Sequence, residues 1–359
     1  MNKHRAGDGK NLKLSTSLPL QLGIDKNLRA NKNILTIDGG FENKFYPDSE
    51  EIMQTLEPGS VTIGFVGIGK MGTPMSKNLR HGDYTVVAYD TRPENVKAVA
   101  ADGVQEAESL TDLASRADVV ITMLPDSDVV DAVVDGSDGL SSHLNKGKLI
   151  IDMSSSYPIR TSILASRVEE KGLHLIGAPV SGGVVGAEAA TLAIMPGGPK
   201  EIVDAAMPIF ETLGKTIVHI DETPESGHAM KCVNNFLSAT SLLASMEAMV
   251  LASKLGLDPE KALQVFNGGS GMNSATKDKW PRFLLPRDFT CGFSTGLMHK
   301  DLSMGSDLAH EYGVAAFYLN QARQMYGLGV QKFGPDSDQT ELLQMFEEWS
   351  GKKVGEPPA

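Results

Sequence analysis

A lysine and an asparagine four residues apart, Lys231 and Asn235, stand in the stretch Gly227-His228-Ala229-Met230-Lys231-Cys232-Val233-Asn234-Asn235. At that spacing both side chains leave the same face of a helix. The amine can take a proton from an alcohol or return it, and the amide beside it can hold the same oxygen. Far upstream, Gly67-Ile68-Gly69-Lys70-Met71-Gly72 has the form G-x-G-x-x-G. In such a turn the first glycine allows the bend and the second lets a pyrophosphate approach the backbone. The third lets a helix pack closely, with its N-terminus toward the phosphates. An acid/base group and a dinucleotide cradle in one chain point to hydride transfer.

The elements that must position these residues follow from periodicity. An apolar run at 61–66 precedes the fingerprint as a buried strand, a helical pattern at 71–80 follows it, and 85–89 reads as a second strand. That strand ends at Asp90, eighteen positions after Gly72, where a carboxylate can accept from a ribose 2′-hydroxyl. Asp90 therefore favours NAD. Arg92 suits a 2′-phosphate, so NADP stays open. Thr91-Arg92-Pro93-Glu94 has capping-box spacing, with proline at the first helical position, which puts Thr91 and Arg92 at the ribose end of the cofactor site.

Further strand patterns at 119–123, 148–152, 174–176, 192–195 and 216–220 alternate with helical segments. This predicts an α/β Rossmann domain with a doubly wound, mostly parallel sheet. Met123-Leu124-Pro125 and Asp152-Met153-Ser154-Ser155-Ser156 end two of these strands, where open α/β sheets place ligands. Ala178 to Ala187 is a loop of small residues in which Ser181, Gly182 and Gly183 expose backbone N–H groups suited to a carboxylate. After Asp221 the strand signals stop. Residues 226–255 form one helical pattern of about 45 Å, long enough to join the sheet domain to an all-α C-terminal domain. Further helices are predicted near 274–285, 295–312, 314–327 and 337–349. The expected organisation is a poorly ordered extension at 1–60, a dinucleotide-binding domain at 61–222, a helical domain at 223–350 and a frayed tail at 351–359.

Composition narrows the class. The net charge of −12 argues against a nucleic-acid partner and against docking on anionic lipid. No uninterrupted apolar run approaches transmembrane length, so no membrane span is expected. Two cysteines, Cys232 and Cys291, are too few for a disulfide scaffold and fit a reducing compartment. No metal-ligand set is assigned. The extension lacks the apolar core of a secretory signal, so a cytoplasmic location is expected. An organelle, mitochondrion or plastid, is the alternative if the extension is a transit peptide.

The fingerprint Phe65-Val66-Gly67-Ile68-Gly69-Lys70-Met71-Gly72-Thr73-Pro74-Met75 resembles that of the β-hydroxyacid dehydrogenases. That family includes 3-hydroxyisobutyrate dehydrogenase, tartronate semialdehyde reductase and relatives of 6-phosphogluconate dehydrogenase. The loop at 179–183, the Lys231/Asn235 helix and Leu297-Met298-His299-Lys300-Asp301-Leu302 resemble its other three motifs, in order, and the likeness spans residues 61–348. The resemblance implies that Lys231 is the acid/base and that Asn235 binds substrate beside it. It implies that Ser154, Ser181, Gly182 and Gly183 hold a small carboxylate substrate. It also implies that Leu124, Pro125 and Ser155 touch the cofactor, with Lys300 near its nicotinamide end. The implied reaction interconverts a β-hydroxy acid and its semialdehyde, in a homodimer or homotetramer. The alternatives are a decarboxylating or imine-reducing relative and a non-catalytic nucleotide-binding scaffold. Two positions depart from the pattern: Ala190 replaces a common glycine, and Met304-Gly305 replaces a common Leu-Ala. His228, three residues before Lys231, reads as a polar residue of the first helical turn.

Overall fold

The structure is a computed structural model that describes residues 54–356. Most of the expected extension, residues 1–53, and the last three residues of the expected tail lie outside the described residues. Six strands form one parallel sheet: β1 (Thr62–Val66), β2 (Thr85–Tyr89), β3 (Gln105–Glu106), β4 (Val119–Thr122), β5 (Leu149–Asp152) and β6 (His174–Gly177). Their order is β3-β2-β1-β4-β5-β6. The order reverses between β1 and β4, the crevice where a doubly wound sheet binds dinucleotides.

Alternation along each strand feeds two apolar layers. Ile63, Phe65, Val86, Val119, Ile121 and Ile151 face one layer, and Val66, Val87, Val120 and Ile150 the other. The first layer also takes in Leu56, whose carbonyl accepts the Tyr84 hydroxyl at 2.9 Å. Order therefore begins upstream of residue 61, contrary to the expectation for that part of the extension.

The patterns at 192–195 and 216–220 do form strands, but in a separate small sheet. It consists of β7 (Val180–Ser181), β8 (Leu192–Ile194) and β9 (Gly214–Ile217), with β7 antiparallel to β8. The residues expected only as a carboxylate loop supply β7. A two-residue strand has no periodicity to read, which is why the sequence pattern missed it.

A helix of 31 residues, Pro224–Lys254, leaves this layer. Its first part packs on β6 and the helix Pro158–Glu170. The rest packs on the helices Thr295–Glu311, Phe317–Phe333 and Leu343–Ser350 around a second core that includes Trp280, Leu302 and Tyr326. By length and composition this helix could cross a membrane, contrary to the expectation drawn from uninterrupted runs. Half of its most apolar window is buried within the protein, and its buried apolar residues from Ala239 to Ala252 belong to the second core. Val354, in the expected frayed tail, is buried in the second core, with its N–H donated to Glu347 Oε1 at 2.9 Å.

Candidate active site

The glycine turn follows β1. Gly67 has φ +99°, and a Cβ on it would stand 2.3 Å from the Met123 carbonyl oxygen. A Cβ on Gly72 would stand 1.9 Å from the Gly67 carbonyl oxygen, so this glycine closes the turn against its own helix, Gly72–His81. Gly69 differs from both, because nothing lies within 4 Å of the position its Cβ would take. Two glycines are thus compelled by packing, while the third leaves a cradle that one methyl would fill. The helix begins with no acidic residue in its first turn and no side chain capping its N–H groups. An anionic pyrophosphate fits that arrangement.

Asp90 anchors this turn from the end of β2. Its Oδ2 accepts the Ile68 N–H and its Oδ1 the Arg92 N–H, both at 2.8 Å. The Arg92 side chain is exposed, its Nε 3.9 Å from Asp90 Oδ1. Thr91 and Lys70 are also exposed, and Met71 is half-buried.

The ends of β4 and β5 are joined by side chains. Ser154 Oγ accepts the Leu124 N–H at 2.9 Å, and Lys300 Nζ donates to the carbonyls of Pro125 at 3.0 Å and Ser155 at 2.8 Å. Lys300 thus reaches from the helical half onto the strand ends. Ser154, expected as a substrate contact, is fully buried, and Lys231 and Asn235 are nearly so. The accessible serine of that strand end is Ser155.

Lys231 and Asn235 lie opposite, buried on the long helix. Lys231 Nζ donates to the Val180 carbonyl of β7 at 2.6 Å. Burial pushes the Lys231 amine below its ordinary range. The Asp301 carboxylate and, more weakly, Cys232 oppose that shift, and the Lys300 charge adds to it. Asn235 Nδ2 donates to Asp301 Oδ2 at 2.6 Å, which fixes the orientation of its amide. Asp301 Oδ1 is buried without a hydrogen bond and faces the Lys300 ammonium at 3.3 Å. Next to β7, Gly182 has φ +137° and Gly183 φ +62°, and Gly183 opens onto free space. Asn234 Nδ2 reaches Ser181 Oγ at 3.3 Å, tying the loop to the long helix.

The fold therefore brings Lys231, Asn235, Lys300 and the loop at Ser181 to one junction, with the glycine turn across the strand ends. Sequence reasoning missed Asp301, Asn234 and the Val180 carbonyl as site groups. Asp301 carries a faint signal, an acid directly after Lys300. A backbone carbonyl carries none.

A six-stranded dinucleotide fold with a lysine cleft beneath a long helix defines a nicotinamide-dependent oxidoreductase. Residues 62–221 match the NAD-binding domain of 6-phosphogluconate dehydrogenase. Residues 226–346 match the NAD-binding domain of NADP-dependent 3-hydroxyisobutyrate dehydrogenase. The chain is 36% identical over 295 residues to 2-(hydroxymethyl)glutarate dehydrogenase of Eubacterium barkeri, covering 82% of this chain and 98% of that one. It is 35% identical to mitochondrial 3-hydroxyisobutyrate dehydrogenase of Bos taurus, covering 80% and 87%. Among solved structures it resembles Mycobacterium tuberculosis 3-hydroxyisobutyrate dehydrogenase with L-serine. That match has a TM-score of 0.72 and 34% identity, covering 79% of this chain and 98% of that one.

The chain belongs to the 3-hydroxyisobutyrate and 6-phosphogluconate dehydrogenase-like superfamily of NAD(P)-binding enzymes. Its cofactor is NAD or NADP, and its class acts on small metabolites. The cytoplasmic expectation is corrected: the cattle relative and its mouse and human counterparts are named mitochondrial.

Proposed function

We infer that this protein interconverts a small β-hydroxy acid and its semialdehyde, with Lys231 as general acid/base. The observation that carries this reading is the Lys231 amine. It is buried, pushed below its ordinary range, and held by the Val180 carbonyl next to Ser181 of the carboxylate loop. An ordinary lysine is too basic to take a hydroxyl proton efficiently near neutrality. The nicotinamide ring, when bound, accepts or returns the hydride. In oxidation Lys231 takes the hydroxyl proton, and in reduction it protonates the forming alkoxide. Asn235, oriented by Asp301, has a second amide hydrogen for the same oxygen. Ser181, Gly182 and Gly183 hold the carboxylate, and Ser154 holds the end of β4 through the Leu124 N–H.

The cofactor lies over Gly67, Ile68, Gly69, Lys70, Met71 and Gly72, with Asp90, Thr91 and Arg92 at its ribose. Leu124, Pro125 and Ser155 line its path, and Lys300 stands at the nicotinamide end. Asp90 already turns one oxygen to each of two backbone N–H groups. A carboxylate with spare lone pairs also suits a ribose hydroxyl, so NAD is the preferred cofactor.

The names of the relatives support the substrate class. 2-(Hydroxymethyl)glutarate, 3-hydroxyisobutyrate and L-serine all place a hydroxymethyl group on the carbon that bears the carboxylate. The test is reduction of NAD and NADP with these three compounds, for wild type and Asp90→Ala. We expect turnover with at least one of them and a preference for NAD that Asp90→Ala narrows. A protein that binds cofactor yet oxidises none, and reduces none of the matching semialdehydes, sinks the reading.

A further inference from the structure

One turn before Lys231 the long helix buries His228 completely. The first turn of this helix lies unusually close to the sheet. A Cβ on Gly227 would stand 2.3 Å from the carbonyl oxygens of Gly177 and Met195, and one on Gly177 would stand 2.9 Å from the imidazole. Glycine packing thus sets how near the helix lies. It leaves the rotation of the helix to directional contacts, and the imidazole makes one hydrogen bond, with Thr161, and faces the Asp152 carboxylate.

His228 Nδ1 stands 2.9 Å from Thr161 Oγ1, and Nε2 stands 3.5 Å from Asp152 Oδ2, with no hydrogen-bond partner of its own. The proton arrangement follows from the partners. If the ring hydrogen were on Nδ1, the Nε2 lone pair would face a buried carboxylate. The Thr161 hydroxyl has one hydrogen and two acceptors in reach, Nδ1 at 2.9 Å and the Tyr157 carbonyl at 3.3 Å; given to the nearer, it leaves the ring hydrogen on Nε2, on the side of Asp152, which is favourable. Asp152 is itself a collector. Its Oδ1 accepts the Thr122 hydroxyl at 2.9 Å and the Ser154 N–H at 3.0 Å, and its Oδ2 accepts the Ser156 hydroxyl at 2.5 Å. One carboxylate therefore gathers the ends of β4 and β5, and one imidazole ties it to the helix that carries Lys231. Burial lowers the affinity of this imidazole for a proton; the Asp152 carboxylate and the backbone at Asp152 and Ser154 raise it, and the Lys300 charge lowers it again.

We propose that His228 is a positioning residue: through Asp152 and Thr161 it fixes the rotation of the long helix against the β4 and β5 ends. It thereby sets the Lys231 amine relative to the carbon that gives or receives hydride. The proposal rests on the role of Lys231 inferred above. Lys231 is three residues further on, about 4.5 Å along the axis and on nearly the same face. A small rotation at His228 is carried directly to the amine. Misplacement by about 1 Å can slow a reaction by roughly 100-fold without weakening binding.

The experiment compares His228→Leu and His228→Gln in the full-length protein. Leucine keeps bulk and removes both polar contacts. Glutamine offers one acceptor to Thr161 and one donor to Asp152. For His228→Leu we expect kcat to fall by about 10- to 100-fold, with substrate KM and NADH affinity within about twofold of wild type. The isotope effect on deuterating the carbinol carbon should rise as chemistry becomes rate-limiting. His228→Gln should recover most of the rate. Unchanged kcat in His228→Leu overturns the proposal, as does a parallel loss of cofactor binding and melting temperature in both variants. The pairing is read independently of activity from the imidazole nitrogen signals of wild type, assigned by their loss in His228→Gln. A neutral ring protonated on Nε2 from pH 6 to 8 supports the proposal, even if the dehydrogenase reading fails. A ring protonated on Nδ1, or an imidazolium, overturns it.

Discussion

The glycine turn after β1 and the lysine cleft under the long helix solve opposite problems. The turn works by lacking side chains: Gly67 and Gly72 are forced by contacts at 2.3 and 1.9 Å, and Gly69 is left open. Its one acid, Asp90, spends its oxygens on backbone N–H groups. The cleft works by burying side chains that would rather be solvated, with Lys231, Asn235 and Asp301 all nearly inaccessible. Phosphates need exposed backbone dipoles and tolerate water. A lysine base needs dryness, because desolvation is what lowers its proton affinity. The first task is met within 24 contiguous residues, 67–90. The second draws on residues 180, 231, 235, 300 and 301.

The largest effect that would break this contrast is at Lys231. Lys231→Met should cut turnover by about 1,000-fold or more while leaving NADH binding intact in a fluorescence titration. The same variant should melt higher at pH 7, since it no longer buries an ammonium. The sign follows from linkage. The folded-state proton affinity of Lys231 is depressed, so the unfolded chain binds more protons and wild-type stability rises with pH. The advantage of methionine is therefore full below the folded pKa and shrinks as pH climbs toward the ordinary lysine value. A melting difference independent of pH would show that the amine is not desolvated.

At the other site, Gly69→Ala should weaken NADH binding by about tenfold with little change in melting temperature, because its methyl enters open space. Gly72→Ala should instead destabilise the fold by about 2 kcal/mol or more through its clash with the Gly67 carbonyl. Equal stability losses in the two variants would mean that Gly69 has no cradle above it. A smaller effect is expected from Asp301→Asn. Asp301 holds the proton affinity of Lys231 up, so removing its charge lets that affinity fall further. Oxidation needs the neutral amine, so its kcat/KM profile should move to lower pH by about one unit. No movement would disconnect Asp301 from Lys231.

The smallest effect lies at Ala190, in the place of a common family glycine. It adopts φ +52°, a left-handed conformation that strains any residue with a Cβ. Ala190→Gly should stabilise the protein by about 1 kcal/mol in denaturant unfolding, with cofactor affinity unchanged.

Much of this architecture was legible because its signals are local. Alternating apolar strands, the three glycines and Asp90 lie close in sequence, and the long helix predicted at 226–255 is observed at Pro224–Lys254. The small sheet was not legible, since Val180 and Ser181 are too few to show a period and pair with Ile194 and Ala193 of β8, twelve or more residues away. Leu56 and Val354 escaped for a similar reason: neither belongs to a sustained apolar pattern, and each is buried only because a distant surface receives it. His228 looked like a polar residue of a first turn and is fully enclosed.

The sequence by itself determined that this chain can cradle a dinucleotide and that Lys231 and Asn235 share a helix face, because turn geometry and helical spacing are local properties. Only the tertiary structure decided that Lys231 is dry, that Val180 and Asp301 are its neighbours, and that Ser154 faces inward. Desolvation and charge act through space, so the chemistry of the lysine is settled by which distant residues the fold packs around it.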